Sequence, residues 1–324
     1  GAGDEVIMPC FTFVASFEAI LMLGATPILV DIDDTLTLDI EAVQAAITPK
    51  TKAIMCVHMC GSMANLDALK QVCDSHHLFL IEDACQAIGG TYNGKALGTI
   101  GDLGCFSFDF VKTVTCGEGG VVITNNKEFY THSDQFSDHG HDHLGTDRGA
   151  ETHPILGYNF RISELNAAVG VAQFSRLDEF LAIQKKYYTI IRNELSGIEG
   201  VTFRSVPDGG EESYAFLNFF LNDLEIARNV HQAFKTNGID VCFHYYDNNW
   251  HYIRKWEHLT TQKSLFPLSQ EVKDGLAYLT NKTFEKSDHY IGRNLSCLIK
   301  LSWTEEDVKQ RAQTMAKIIR EVTA

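Results

Sequence analysis

Several things are scarce or missing in this sequence, and each absence narrows the reading. There is no block of like charge, and basic residues are in the minority: 27 Lys and Arg against 42 Asp and Glu, a formal net charge of −15. Nucleic acid wants a basic patch, so that class is set aside, and the acidic surplus suits a soluble, well-solvated surface. No apolar run is clean enough to cross a membrane. The longest, Phe11 to Val30, is broken by Glu18 and Pro27 and reads as a helix followed by a strand. The nine cysteines are scattered singly, with no CxxC pair. Free thiols in a reducing cytoplasm are therefore expected rather than disulfides or zinc. Internal repeats, low-complexity segments and a signal peptide are also missing. The chain opens on "GAGDEVIMP", a loop running into an apolar strand with no methionine and no preceding helix, which reads as a fragment of something longer.

What is present is a chain of 324 residues, 45% hydrophobic, enough for a large core and two domains. Short apolar runs alternate with helical patterns up to about residue 125. Val6 to Met8, Pro27 to Val30, Ala53 to Val57, Leu78 to Ile81, Gly104 to Phe108 and Val121 to Ile123 read as strands. Between them lie amphipathic stretches such as "LDALKQVCDSHH", with Leu66, Leu69 and Val72 at helical spacing. This alternation predicts an α/β fold whose mostly parallel sheet is flanked by helices on both faces. A long helical run from Ser163, a plausible cap, leads to a smaller α+β domain. We place the large domain at 1–199 and the small one at 200–324, the latter ending in a helix that starts at Thr304-Glu305-Glu306.

In parallel sheets ligands gather outside the carboxyl ends of the strands, and two such ends carry polar residues that a structural loop does not need. "LFLIEDACQA" finishes at Glu82-Asp83 and adds Gln86. "FSFDFVKTVTCGEGG" alternates Phe106, Phe108 and Phe110 with Ser107 and Asp109, then reaches Lys112 and a glycine turn at 117–120. If the two strands are near neighbours, an acid, an amide, a hydroxyl and a lysine open into one crevice. A lysine amine in a partly desolvated crevice becomes a nucleophile toward an aldehyde, and an aspartate can keep a pyridine nitrogen protonated. A serine can donate to a phosphate, and "FTFVAS" offers an aromatic to stack on a flat ring. That is the requirement of pyridoxal 5′-phosphate (PLP). Each residue has a plainer reading by itself: Lys112 as a solvated charge, Asp83 as a helix cap, Phe13 as core.

The run "EDACQAIGGTYNGKALGTIGDLGCFSF", followed by Lys112 and "GEGGVVITN", resembles the PLP-dependent sugar aminotransferases of the DegT/DnrJ/StrS type, members of the aspartate aminotransferase fold (fold type I). The resemblance extends from "GAGDEVI" to the last helix. It implies that Lys112 bonds to the cofactor aldehyde and later shuttles a proton. Asp83 then pairs with the pyridine nitrogen, Gln86 sits beside the ring hydroxyl, Ser107 donates to the phosphate and Phe13 stacks on the ring. "LGYNFRISELNAA" resembles the segment whose asparagine, here Asn159, reaches the phosphate of a neighbouring subunit's cofactor, which implies a homodimer with shared sites. The family also carries a strand and a glycine-threonine phosphate loop ahead of "GDEVI". Neither is found here, which suggests a lost set of phosphate donors and an unprotected sheet edge.

A branch of the family has histidine in place of the lysine and dehydrates its sugar; Lys112 therefore implies transamination, with L-glutamate as donor. "VHMCGSMANLD", "FSDHGHDHLGTDRGAETHP", "NNWHYIRKWEHL" and "LIKLSWT" look like the enzymes that form 8-amino-3,8-dideoxy-manno-octulosonate for lipopolysaccharide. The acceptor would then be C8 of free 8-oxo-3-deoxy-manno-octulosonate, and its carboxylate wants a cation, for which Arg148, Arg161, Arg254 and Lys255 are candidates. A nucleotide-linked 3- or 4-keto-hexose is the alternative acceptor. A non-catalytic PLP-binding regulator and an inactive shortened subunit are the alternatives outside catalysis. His139, His141, His143 and His153 match no zinc spacing and suit sugar hydroxyls better, His139 first; no metal is expected. Trp250, His251 and Tyr252 are either small-domain core or sugar pocket. "GKALGTIG" lacks the Lys-Ser or Lys-Thr pair of a phosphate loop.

Overall fold

The computed structural model describes residues 1–265 and 267–323. In chain order its strands are β1 (Glu5–Pro9), β2 (Thr26–Val30), β3 (Thr51–Val57), β4 (Phe79–Asp83), β5 (Thr91–Tyr92), β6 (Lys95–Ala96), β7 (Leu103–Ser107), β8 (Gly120–Ile123), β9 (Thr202–Phe203), β10 (Gly210–Glu211), β11 (Phe216–Phe220), β12 (Cys242–Phe243) and β13 (Asn294–Leu298). The six apolar runs of the first 125 residues make one sheet in the order β2-β1-β3-β4-β7-β8. It is parallel throughout except for β8, which runs antiparallel to β7. Parallel neighbours need crossovers, and helices such as Leu66–His76 supply them. In that helix Asn65 accepts the Ala68 N–H at the N-terminus, and Leu66, Leu69, Val72 and Cys73 turn inward. The carboxyl ends of β1, β3, β4 and β7 consequently open on the same side of the sheet. β8 is an edge strand, with Val121 and Val122 exposed.

A second sheet, β12-β13-β11-β9, is antiparallel and is covered by the helices Leu177–Leu195, Leu224–Thr236 and Glu305–Thr323. The helical run after Ser163 is broken at 175–176 into Glu164–Phe174 and Leu177–Leu195. Ser163 does cap the first, accepting the Asn166 N–H at 3.2 Å. A further apolar cluster joins Met8, Phe11, Phe17 and Leu29 to Tyr252, Trp256, Leu276 and Ile291. The segment 251–253 pairs with 10–12 along it: Thr12 N–H donates to the His251 carbonyl at 2.8 Å, and Ile253 N–H to Cys10 at 3.3 Å. This pairing carries residues from late in the chain to the end of β1.

The expectation of free thiols fails at one pair. Antiparallel register sets Cys242 of β12 directly opposite Cys297 of β13, and the two form a disulfide 55 residues apart in sequence. Nothing in single, scattered cysteines signals that pairing. The other seven are free.

Candidate active site

The site grows from the alternation of side chains along β4. Successive residues of a strand face opposite sides of a sheet, so Glu82 and Asp83 part company. Glu82 is fully buried beneath the sheet and accepts from His58 Nε2 at 2.9 Å and from the Gly98, Ile100 and Gly101 N–H groups at 2.8, 2.6 and 2.6 Å. Burial opposes its ionisation, but the His58 hydrogen bond and charge and the backbone donors outweigh it and hold the carboxyl below its ordinary range. Its bonds are spent on structure. Asp83, one residue on, accepts the Ser16 hydroxyl at 2.7 Å and the Cys85 N–H at 3.1 Å. Ser16 in turn shares a 2.8 Å hydrogen bond with Thr12. The loop after β1 thus braces the acid that ends β4.

Gln86 lies in the turn beyond. Its Oε1 accepts the Cys60 N–H at 2.9 Å, which leaves the amide nitrogen facing His251 Nε2 at 3.2 Å. A side-chain amide nitrogen only donates, so His251 Nε2 accepts and the imidazole proton belongs on Nδ1. That Nδ1 is buried and has no partner among the described residues. Burial and, after it, the Lys112 charge push the His251 pKa down to about 3, so the ring is neutral. The Phe13 and Tyr245 rings lie 5.5 and 4.7 Å from it.

The strand containing Phe106 stops at Ser107 rather than running on to Phe110. The Asp109 side chain accepts the Val111 N–H at 2.8 Å and its carbonyl accepts the Lys112 N–H at 3.2 Å, turning the chain and leaving Phe110 exposed. Lys112 Nζ is half-buried and its nearest acid, Asp109, stands at 3.7 Å, beyond hydrogen-bonding distance. Ser107 Oγ accepts the Asp109 N–H at 3.4 Å and its own O–H finds no acceptor among the described residues.

Phe13 and Gln86 therefore meet at His251, which also feels the Lys112 charge, with Asp83 and Ser107 at adjoining strand ends and Trp250 beside His251 at 6.2 Å. Asn159, His139 and Arg161 gather elsewhere, around Asp138. Asp138 receives Arg161 Nη1, Arg148 Nη2 at 2.7 Å and His143 Nε2 at 3.1 Å. Hydrogen bonding of its ring N–H groups to Asp134 and then Asp138 raises the His143 pKa. Asn159 is exposed and bridges to Asp138 through backbone. His139 is exposed and takes a positive φ of 56°. Arg254 is engaged with Asp288 at 3.0 Å. The one cluster of the described residues with metal-like donor spacing is Asp83, Cys85 and Cys105, within 4.8 Å of one another. Its thiols donate instead to the carbonyls of Cys105 and Glu82 at 3.8 and 3.5 Å. Two surface cavities, one lined by Lys70 and His77 and one by Glu5 and Glu271, share no residue with the crevice. Sequence reasoning missed Thr12, Ser16 and Cys60, although Thr12 and Ser16 stand inside "FTFVAS".

The donor set suits a flat, cationic heterocycle with an anionic tail. It offers a braced carboxylate, a half-exposed Phe13 ring, an amide beside a neutral imidazole, a lysine whose nearest acid stands at 3.7 Å and a free hydroxyl. Among described residues no helix is long and apolar enough to cross a membrane.

Residues 1–287 match the model of the DegT/DnrJ/EryC1/StrS aminotransferase family. A GDP-perosamine synthase of Vibrio cholerae is 36% identical over 271 residues, covering 82% of this chain and 71% of that protein. A UDP-N-acetyl-3-dehydro-alpha-D-glucosamine 3-aminotransferase of Acidithiobacillus ferrooxidans is 42% identical over 247 residues, 76% of this chain and 64% of that one. Against some other curated relatives the chain spans only about half their length. The PLP form of a sugar aminotransferase from Streptococcus pneumoniae superposes with a TM-score of 0.82 at 25% identity, over 99% of this chain and 82% of that one. The α/β architecture is shared throughout, and PLP is the cofactor of the family. The chain belongs to the DegT/DnrJ/EryC1/StrS aminotransferase family.

Proposed function

We propose that this protein moves an amino group from L-glutamate to a sugar carbonyl, with 1–199 as cofactor domain and 200–324 as small domain. The observation that carries it is the meeting of Asp83, the Gln86–His251 pair and Lys112 at neighbouring carboxyl ends of one parallel sheet. PLP supplies an electron sink that stabilises negative charge on the carbon exchanging its amine. The residues do the rest. Lys112 Nζ would hold the cofactor through its aldehyde and, once released, would carry the proton between the substrate carbon and the cofactor carbon. Asp83, oriented by Ser16 and the Cys85 N–H, would pair with the pyridine nitrogen. Gln86 would donate beside the ring hydroxyl, Phe13 would cover the ring face and Ser107 would donate to the phosphate. His251, neutral with its proton on Nδ1, accepts from the Gln86 amide and so fixes its orientation.

The exposed Asn159 and the apolar rings beside it, Tyr158 and Phe160, suit a homodimer in which each chain completes its neighbour's phosphate site. His139, Arg161 and Trp250 then face the sugar from the rim. Two acceptors stand. A nucleotide-linked 3- or 4-keto-hexose is supported by the relatives named for GDP- and UDP-sugars. The 8-oxo-3-deoxy-manno-octulosonate acceptor rests on the four sequence stretches alone. Steady-state turnover with L-glutamate and each acceptor in parallel decides. Amination of a nucleotide ketosugar alone selects the first, of the free sugar acid alone the second. Amination of neither, with glutamate consumed, removes both.

A further inference from the structure

The turn after β3 is held from behind by a residue remote in sequence. Cys60 is fully buried and adopts φ 54°, ψ 35°, a left-handed conformation uncommon for a side-chain-bearing residue. It is followed by Gly61 at φ 80°, where a Cβ would stand 2.2 Å from Ser213 Oγ. Such a backbone persists only when its surroundings over-determine it. They do so here through Arg204, buried at 5% exposure between β9 and the turn. Its Nη1 donates to the Met59 carbonyl at 2.8 Å, its Nη2 to the Cys60 carbonyl at 2.6 Å and its Nε to Glu212 at 2.6 Å. Glu212 is steadied in turn by the Tyr188 hydroxyl at 2.7 Å.

The Met59 carbonyl and the Cys60 N–H belong to one peptide unit. Arg204 grips the oxygen at one end, and the N–H at the other donates to Gln86 Oε1 at 2.9 Å. In a planar trans peptide the two point in opposite directions, so the guanidinium fixes the aim of the N–H. A cation on the carbonyl also polarises the unit and strengthens its donor. Since that N–H decides which end of the Gln86 amide faces the crevice, the amide orientation is set from outside the site. We propose that Arg204 is a positioning residue for cofactor chemistry: acting through the Met59–Cys60 peptide, it locks Gln86 with its amide nitrogen toward His251 and the ring hydroxyl. The planar fork of arginine, satisfying two carbonyls and a carboxylate at once, is what lysine cannot reproduce.

This inference rests on the reading of Gln86 as a neighbour of the PLP ring, and the test separates the two. The pH midpoint of the visible absorbance of the PLP-loaded protein is measured for the unsubstituted chain, Arg204→Lys, Gln86→Leu and the double variant. Arg204→Lys and Gln86→Leu are each expected to shift the midpoint by about half a pH unit or more in the same direction, and Arg204→Lys to add nothing once Gln86 is leucine. A midpoint unmoved by Gln86→Leu would overturn the Gln86 reading and the inference with it. One moved by Gln86→Leu but not by Arg204→Lys would overturn the inference alone, as would a shift by Arg204→Lys that persists in the double variant. Should Arg204→Lys fail to fold, amide hydrogen exchange on the unsubstituted protein decides. The Cys60 N–H is expected to be as protected as the β4 amides, and exchange within seconds would contradict the lock.

Discussion

The crevice at the strand ends and the loop around Asp138 both concentrate charge and aromatic rings, yet they are made in opposite ways. In the crevice the acid and the amide are braced by groups of the same chain: Ser16 behind Asp83, Cys60 and His251 on either side of Gln86, Arg204 behind Cys60. At the loop, Arg148, Arg161 and His143 converge on one carboxylate, while Tyr158, Phe160, Ile162 and Leu165 lie open. Preorganisation of the first kind fixes side chains before anything binds. The second kind is a surface whose polar groups satisfy one another until something is laid against it.

Substitutions can break this contrast. The largest effect is expected from Lys112→Ala, which should remove turnover while leaving circular dichroism and thermal midpoint unchanged, because Lys112 has no hydrogen-bonded partner to lose; turnover measured beside melting checks both halves. Next come the neighbours on β4. Glu82→Leu strands His58 and three backbone donors and should cost about 3–5 kcal/mol in urea unfolding. Asp83→Asn should keep most of the stability but weaken PLP binding, seen by equilibrium dialysis. If the pair behaved alike, the separation of structure from chemistry across the sheet would be wrong. At the loop, Asn159→Ala should leave stability near that of the parent and lower activity. Mixed with Lys112→Ala chains it should regain activity, since one of the two sites in the hybrid dimer keeps both residues; no regain would argue for sites that are not shared. The smallest effect concerns pH. The folded His251 pKa lies near 3 and the unfolded value near 6.5, so the unfolded chain binds the extra proton first. Stability from this group is full above about pH 6.5 and falls by up to about 1.4 kcal/mol per pH unit toward 3. His231, lowered to about 4 by burial first, titrates in part of the same window. A stability-against-pH series of His251→Gln beside the parent isolates the His251 share as a flatter acid limb.

Much of the architecture was legible because period and composition carry it. All six strands of the large sheet fall on the apolar runs, and Ser163 caps where it was expected. Limits appear where long-range contacts decide. The alternation Phe106-Phe108-Phe110 reads as a continuous strand, but the Asp109 turn ends it at Ser107. The "GKALGTIG" glycines look like an anion cradle without a ligand; they do bind an anion, the Glu82 carboxylate. Sequence shows Glu82-Asp83 as a pair, and only strand pleat separates the structural acid from the one in the crevice. Cys242 with Cys297, and Arg204 with Cys60, are joined by register and packing that no local pattern encodes.

Every role proposed for the crevice depends on Lys112 bonding to the cofactor. Loading the protein with PLP, reducing it with borohydride and mapping the adduct by peptide mass spectrometry tests that directly. The account predicts one phosphopyridoxyl group per chain, on Lys112, absent when L-glutamate is added before the reduction. An adduct on another lysine, or none on a chain that still turns over, would contradict it.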